Sequence, residues 1–238
     1  MEKLRSIVKS VLPWRMQQLF RATYRSFIFR RAFKQFLKDP GACAQVGNPL
    51  LKELIYGWGN EEWSGLEEYL IGSITHAQTA TGPILECGSG LSTLMIGAIA
   101  KQRGIGHWAL EHTPLWASRV QQHLNKHRLD SVTLCTCHLQ SYGAYEWYSP
   151  PLSSMPDSFA LVICDGPPSS TKGGRYGLVP VMKDRLKSGC IILLDDAGRD
   201  QERSIANRWE VELGATLEIL GVAKPYAKLT VRDVVRQK

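Results

Sequence analysis

The chain predicts an α/β fold, a doubly wound and mainly parallel seven-stranded sheet with an N-terminal helical extension. From residue 83 to residue 212 short apolar runs alternate with helix-length segments, the pattern of repeated βα units whose parallel sheet is covered by helices on both faces. The first apolar run, Pro83 to Cys87, breaks into Gly88-Ser89-Gly90 just before a helical stretch, as a strand does when it feeds a ligand-binding loop. The last two runs, Ala215 to Leu220 and Tyr226 to Val231, are joined by about five residues around Pro225. That link is too short for a parallel crossover, so the sheet closes with an antiparallel hairpin.

Taken in order, residues 1–48 form a basic, aromatic-rich extension and residues 49–238 the α/β domain. Residues 1–38 carry ten Lys or Arg against one acid, so the net charge of +7 belongs to the extension and the remaining 200 residues sum to −2. The charges interleave with Leu12, Trp14, Leu19, Phe20, Tyr24, Phe27, Ile28, Phe33 and Phe36, which suits one or two amphipathic helices broken near Pro13. Asp39-Pro40-Gly41 and Gly47-Asn48-Pro49 are turn chemistry and end the extension. The spacing of Trp63, Leu66, Tyr69, Leu70 and Ile74 predicts an entry helix over 61–74. The alternation then reads strand 83–87, helix 92–101, strand 107–111, helix 114–127 and strand 131–137. It continues with strand 159–165, helix 177–187, strand 189–195 and helix 201–212.

Composition excludes several classes. A 44% hydrophobic content supports a core, and no apolar stretch is long enough to cross a bilayer. Together with the lack of a signal-peptide pattern, this points to a cytoplasmic protein. Cys87, Cys135, Cys137, Cys164 and Cys190 sit in or at the end of strand-like runs without a CxxC pair and read as buried free thiols. The basic extension has three uses open to it: packing its aromatic face on the domain or a partner subunit in a homo-oligomer, holding an anionic membrane surface, or holding nucleic acid.

Ligands of open α/β sheets sit beyond the carboxyl ends of the strands, and four strand-like runs here end in acids: Glu86, Glu111, Asp165 and the pair Asp195-Asp196. Thr93 stands where the dinucleotide fingerprint requires its third glycine, so a ligand smaller than a pyrophosphate nucleotide is expected at the loop. Glu111 lies 21 residues beyond Gly90, where an acid ending the second strand accepts bonds from ribose hydroxyls.

These residues resemble the class I S-adenosylmethionine-dependent methyltransferases, whose first motif, E/D-x-G-x-G-x-S/T, is matched by Glu86, Gly88, Gly90 and Ser92. The resemblance covers roughly residues 60–232 and includes the closing hairpin. It implies S-adenosyl-L-methionine as cofactor, held at Glu86, Gly88, Ser89, Gly90, Ser92 and Thr93, with Glu111 on the ribose and Cys137 and His138 by the adenine. Asp165, Asp195 and Asp196 are similar to the magnesium ligands of metal-dependent O-methyltransferases, where the ion activates an acceptor hydroxyl. Asp165 is then also the candidate catalytic residue. The lysine base of that family has no neighbouring counterpart, because Asp165 is followed by Gly166-Pro167-Pro168. The loop 166–177 is expected to act as a lid, with Lys172, Arg175 and Tyr176 reaching an acceptor and Gly173 and Gly174 as its hinge.

The expected activity is O-methylation of a small molecule. The prolines after Asp165 lack the aromatic of the amino-methylating nucleic-acid enzymes, so base methylation is disfavoured. The alternative is a non-catalytic module that keeps the cofactor fold and recruits a partner or membrane through its basic tail. A scaffold, however, has no need of three acids at two adjacent strand ends.

Overall fold

The computed structural model describes residues 13–59 and 67–232; the expected helical residues Trp63 and Leu66, and the first twelve residues of the extension, lie outside this set. In chain order the strands are β1 (Ile84–Cys87), β2 (His107–Glu111), β3 (Val132–Thr136), β4 (Leu139–Ser141), β5 (Glu146–Tyr148), β6 (Leu161–Cys164), β7 (Ile191–Leu194), β8 (Thr216–Leu220) and β9 (Tyr226–Thr230). Seven of them make one sheet in the order β3-β2-β1-β6-β7-β9-β8. All pairs from β3 to β7 are parallel, while β9 runs antiparallel to both β7 and β8. The strand order reverses at β1, between β2 and β6, and ligands of open α/β sheets sit beyond the carboxyl ends of the strands at such a switch point.

The central strands are apolar on both faces because each face has its own core. Along β6, Leu161 and Ile163 join one core while Val162 and Cys164 join the other, the two-residue alternation of a strand. One core holds Leu94, Met95, Ile99, Val120 and Leu124 from α4 (Leu91–Arg103) and α5 (Pro114–His127). The other holds Leu178, Met182, Ile205, Ala206 and Trp209 from α6 (Leu178–Met182) and α7 (Asp200–Leu213).

Among the described residues of the extension, α1 (Trp14–Phe36) starts directly after Pro13, its N-cap, where a missing N–H costs nothing, and the part before the expected break at Pro13 lies outside the described residues. Phe29, Ala32, Phe33 and Phe36 are buried in the same core as α4 and α5, so the second half of α1 is packed on the domain. Fully burying one phenylalanine contributes about 1.5–3 kcal/mol, and three of them are enough to hold the helix down. Its other side stays open: Trp14, Leu19, Phe20 and Phe27 are 57–70% exposed. Among the described residues, no helix is long and apolar enough to cross a membrane.

Two further helices lead into the sheet, α2 (Pro49–Trp58) and α3 (Glu67–Thr79). Asn48 caps α2 by accepting from Leu50 N–H (2.9 Å) and Leu51 N–H (3.4 Å), and Leu50, Leu51, Leu54 and Trp58 form its buried face. The helix expected over 177–187 is cut to α6 and a 3₁₀ turn, Lys183–Arg185. Tertiary bonds account for the change: the Arg185 carbonyl accepts from Phe159 N–H (3.0 Å), and its guanidinium donates to the carbonyls of Leu152, Met155 and Pro156. The small antiparallel pair β4–β5 was not anticipated, since three-residue strands are too short to show a periodicity.

Candidate functional site

At the carboxyl end of β1 the chain turns through Gly88, whose φ of +93° lies in the left-handed region that favours glycine. A Cβ there would also meet Gly166 N at 3.4 Å, so the loop and the end of β6 pass close together. By contrast, a Cβ on Gly90 would meet nothing within 4 Å, which leaves open space beside the loop. Thr93 is fully buried and its hydroxyl accepts from Gly90 N–H at 2.8 Å, so it shapes the loop from beneath.

Glu86 projects from β1 into the core beneath α4, 2% exposed. Ser92 Oγ donates to its Oε1 at 2.5 Å, and His107 Nε2 lies 2.9 Å from its Oε2. His107 is wholly buried at the start of β2, and sequence reasoning missed it: β1 and β2 pair with Ile84 opposite His107, which sets this imidazole on the face used by Glu86. A buried carboxylate needs such partners, and this one anchors the loop to the sheet.

Glu111, ending β2, is 4% exposed. Its Oε2 accepts from Ser89 Oγ (2.8 Å) and its Oε1 from Thr113 N–H (2.8 Å). Trp116 Nε1 donates to the Ser89 carbonyl at 2.7 Å, so the loop is clasped from both sides. His112 Nδ1 also lies 3.3 Å from Glu111 Oε1, and of a carboxylate's roughly four lone-pair directions the hydrogen bonds from Ser89 and Thr113 take two.

Beyond β3, Cys137 is 7% exposed while His138 is exposed and turned to the surface, its carbonyl accepting from Ser149 N–H at 3.0 Å. Trp147 and Tyr148 are core residues, and a Cβ on Gly166 would collide with the Tyr148 hydroxyl. Cys87, Cys137, Cys164 and Cys190 are buried and Cys135 is half-buried, and burial pushes the Cys137 thiol up to about 12.

The strand ends of β6 and β7 bring Asp165, Asp195 and Asp196 together, with one carboxylate oxygen of each within 4.8 Å of the others. Asp196 carries a φ of +63°, left-handed backbone that an aspartate tolerates better than most residues. Three basic side chains enter the cluster. Arg175, 3% exposed, donates through Nη2 to Asp165 Oδ1 (2.9 Å) and Asp196 Oδ2 (3.0 Å) and through Nη1 to the Asp195 carbonyl (2.7 Å). Lys224 Nζ lies 2.9 Å from both Asp195 Oδ2 and Asp196 Oδ1, and Arg199 Nη1 is 3.0 Å from Asp196 Oδ2. Three carboxylates therefore face three cations.

Burial pushes Asp165 up to about 7, with Arg175 and Lys224 opposing the rise and the other two acids adding to it. Its side chain keeps 30% exposure, the most open of the three acids. Burial also pushes Asp196 upward, but Lys224, Arg175 and Arg199 overcome it and hold this carboxyl below its ordinary value.

Lys224 comes from the loop between β8 and β9, a position the sequence did not point to. Glu68 on α3 pins that loop by accepting from the N–H groups of Val222 (2.9 Å), Ala223 (2.9 Å) and Lys224 (3.2 Å). The loop 166–177 is fastened as well. Ser169 bonds Glu202, Lys172 Nζ reaches the Gly143 carbonyl (2.6 Å), and Tyr176 bonds Glu212 beneath the Arg208 guanidinium. Of the three side chains expected to face the cleft, only Arg175 meets the acids; Lys172 and Tyr176 brace neighbouring elements.

A family model described as a methyltransferase domain matches residues 85–197, the span from β1 to the end of β7. No curated protein matches the chain in sequence. Among solved structures, a candidate caffeoyl-CoA O-methyltransferase of Staphylococcus aureus superposes with a TM-score of 0.57 at 11% identity, over 83% of this chain and 98% of that one. A Podospora anserina methyltransferase bound to S-adenosylhomocysteine gives 0.53 at 17% identity, over 94% and 99%. An O-methyltransferase of Bacillus cereus, also in complex with that compound, gives 0.51 at 12%, over 96% of both chains. At these identities the likeness is one of fold.

Proposed function

We infer that this chain is a class I S-adenosylmethionine-dependent methyltransferase, as its methyltransferase-domain match and fold support, and that it moves a methyl group onto an oxygen of a small-molecule acceptor. The observation that carries this reading is the pairing of a cofactor cradle with an accessible carboxylate across the β1–β6 switch point.

The cradle fits S-adenosylmethionine. Open space lies beside Gly90, the loop turns through a left-handed Gly88, and hydrogen bonds take two of the roughly four lone-pair directions of Glu111, the others serving the ribose hydroxyls. Glu86, Ser92 and Thr93 shape this cradle, and Cys137 borders the expected adenine position. When bound, the cofactor supplies a methyl group on a sulfonium, whose carbon–sulfur pair returns to sulfur as the acceptor oxygen bonds to carbon. The chain has to hold the acceptor in line and take its proton. Asp165 is suited to taking the proton, since it sits at the carboxyl end of β6, is the most exposed of the three acids, and has a pKa raised to about 7.

Magnesium does not fit the acid cluster as it is built. A hard divalent ion takes oxygen ligands and supplies positive charge, yet Asp165 Oδ1, Asp195 Oδ2 and both Asp196 oxygens already meet Arg175, Lys224 and Arg199 at 2.9–3.0 Å, and Asp195 Oδ1 is left buried without a hydrogen-bond partner.

The exposed apolar side chains of α1 favour a second property, contact with an anionic membrane. Leu19, Phe20 and Phe27 are exposed on a helix that also carries Arg15, Arg21, Arg30, Arg31 and Lys34.

The activity is tested by incubating the full chain with methyl-labelled S-adenosylmethionine and a panel of phenols, sugar hydroxyls and carboxylates. Transfer to an oxygen acceptor, abolished by Asp165→Asn, supports the reading. Transfer to nitrogen acceptors alone would reassign the chemistry, and undiminished turnover of Asp165→Asn would remove this base.

A further inference from the structure

We propose that Arg175 and Lys224 are the resident cations of this active site, standing where a divalent metal would sit. The proposal rests on the methyltransferase reading above and goes beyond it in naming what neutralises the three acids.

Electrostatics sets the problem. Three carboxylates whose oxygens converge within 4.8 Å repel one another, and a cation must offset that cost. Two solutions exist: a metal ion, or basic side chains. The second is assembled here from separate parts of the fold. Arg175 arrives from the loop after β6 and bridges Asp165 and Asp196 with one nitrogen, while the other nitrogen bonds the Asp195 carbonyl at 2.7 Å. Its planar fork is directed at three acceptors from two strands, a geometry that a lysine could not copy. Lys224 arrives from the β8–β9 loop and bridges Asp195 and Asp196.

Each arrival is itself held. Glu68 accepts three consecutive backbone N–H groups around Lys224. The Arg175 loop is fixed by Ser169 to Glu202 and by Lys172 to the Gly143 carbonyl. An arginine that is 3% exposed is therefore built into the site, not laid over it. The consequence for Asp165 is specific. Its Oδ1 is held by Arg175, while Lys224 and Arg199 hold both Asp196 oxygens and Asp195 Oδ2, so the second oxygen of Asp165 is the one free of a cation on this more exposed acid.

The test uses the full chain and Mn²⁺ alone as the probe, followed by electron paramagnetic resonance, with S-adenosylmethionine binding measured separately by calorimetry. The parent should bind S-adenosylmethionine and show no stoichiometric Mn²⁺ site. The double variant Arg175→Met/Lys224→Met should gain one, at least about tenfold tighter than the parent's residual binding, and should lose it again when Asp196→Asn is added. Should the double variant fail to fold, the single variant Lys224→Met and turnover of the parent in the presence of a chelator decide the matter. A gained Mn²⁺ site in the former, or unchanged turnover in the latter, supports the proposal. A tight single Mn²⁺ site in the parent, or chelator-sensitive turnover, overturns it. Failure of the parent to bind S-adenosylmethionine would instead sink the underlying methyltransferase reading, which keeps the two failures apart.

Discussion

Replacing Glu111 by alanine should weaken S-adenosylmethionine binding by about two orders of magnitude while leaving the fold intact. The carboxylate is 4% exposed and already accepts from Ser89 Oγ and Thr113 N–H, both at 2.8 Å. These bonds take two of its roughly four lone-pair directions, and the others suit the two hydroxyls of a ribose. A hydrogen bond to a charged group contributes about 1.5–3 kcal/mol net. At the lower figure two bonds amount to about 3 kcal/mol, or roughly a hundredfold in dissociation constant. The parent and variant would be compared by calorimetric titration, with circular dichroism to confirm that the variant is folded. Ser89→Ala serves as the control, because it removes a donor to Glu111 without removing the acceptor; its effect should stay below about tenfold. If Glu111→Ala binds within about threefold of the parent, the ribose assignment is wrong and the acid only braces the glycine loop.

Three further outcomes are expected. Since Asp165 must be unprotonated to take a proton and its pKa is raised to about 7, kcat/KM should climb as pH rises through that value and fall below it; a profile flat from about pH 6 to about pH 8 would assign the proton to another group. Arg175→Met should lower stability by about 3 kcal/mol, the low end for breaking a buried pair, because Lys224 and Arg199 continue to hold Asp195 and Asp196. For a chain of this size that corresponds to a melting temperature about 6–12 °C lower, and a drop under about 2 °C would show the contact to be solvated. Phe20→Asp with Phe27→Asp should cut sedimentation with anionic vesicles by at least about tenfold, since both rings are more than half exposed on α1; unchanged sedimentation would argue against membrane contact by this helix.

The sheet was legible because its signals are local. Alternating apolar runs mark β1, β2, β6 and β7, and a five-residue link around Pro225 forces the hairpin. Where tertiary bonds override local preference the reading failed, as at Arg185, whose side chain and carbonyl bond neighbouring loops and shorten α6. The acids of the site were visible as polar ends of apolar strands, but their partners were not. Lys224 follows only from the antiparallel register: Leu194 faces Ala227, so Asp195 falls opposite Tyr226 and Asp196 opposite Pro225, next to Lys224. Arg175 was noted on its loop, yet nothing in a Gly/Pro/Ser-rich segment tells which of Lys172, Arg175 and Tyr176 turns inwards. His107 was hidden for a similar reason, since its role depends on a parallel register that pairs it with Ile84 and so aims it at Glu86.

The central claim is that the carboxyl end of β1 holds S-adenosylmethionine, and calorimetric titration of the full chain tests it directly, with NADH as the competing ligand. Micromolar binding of S-adenosylmethionine with no heat from NADH is the predicted result. Binding of NADH in its place, or of neither ligand, would contradict the account and leave the glycine loop without its assigned cofactor.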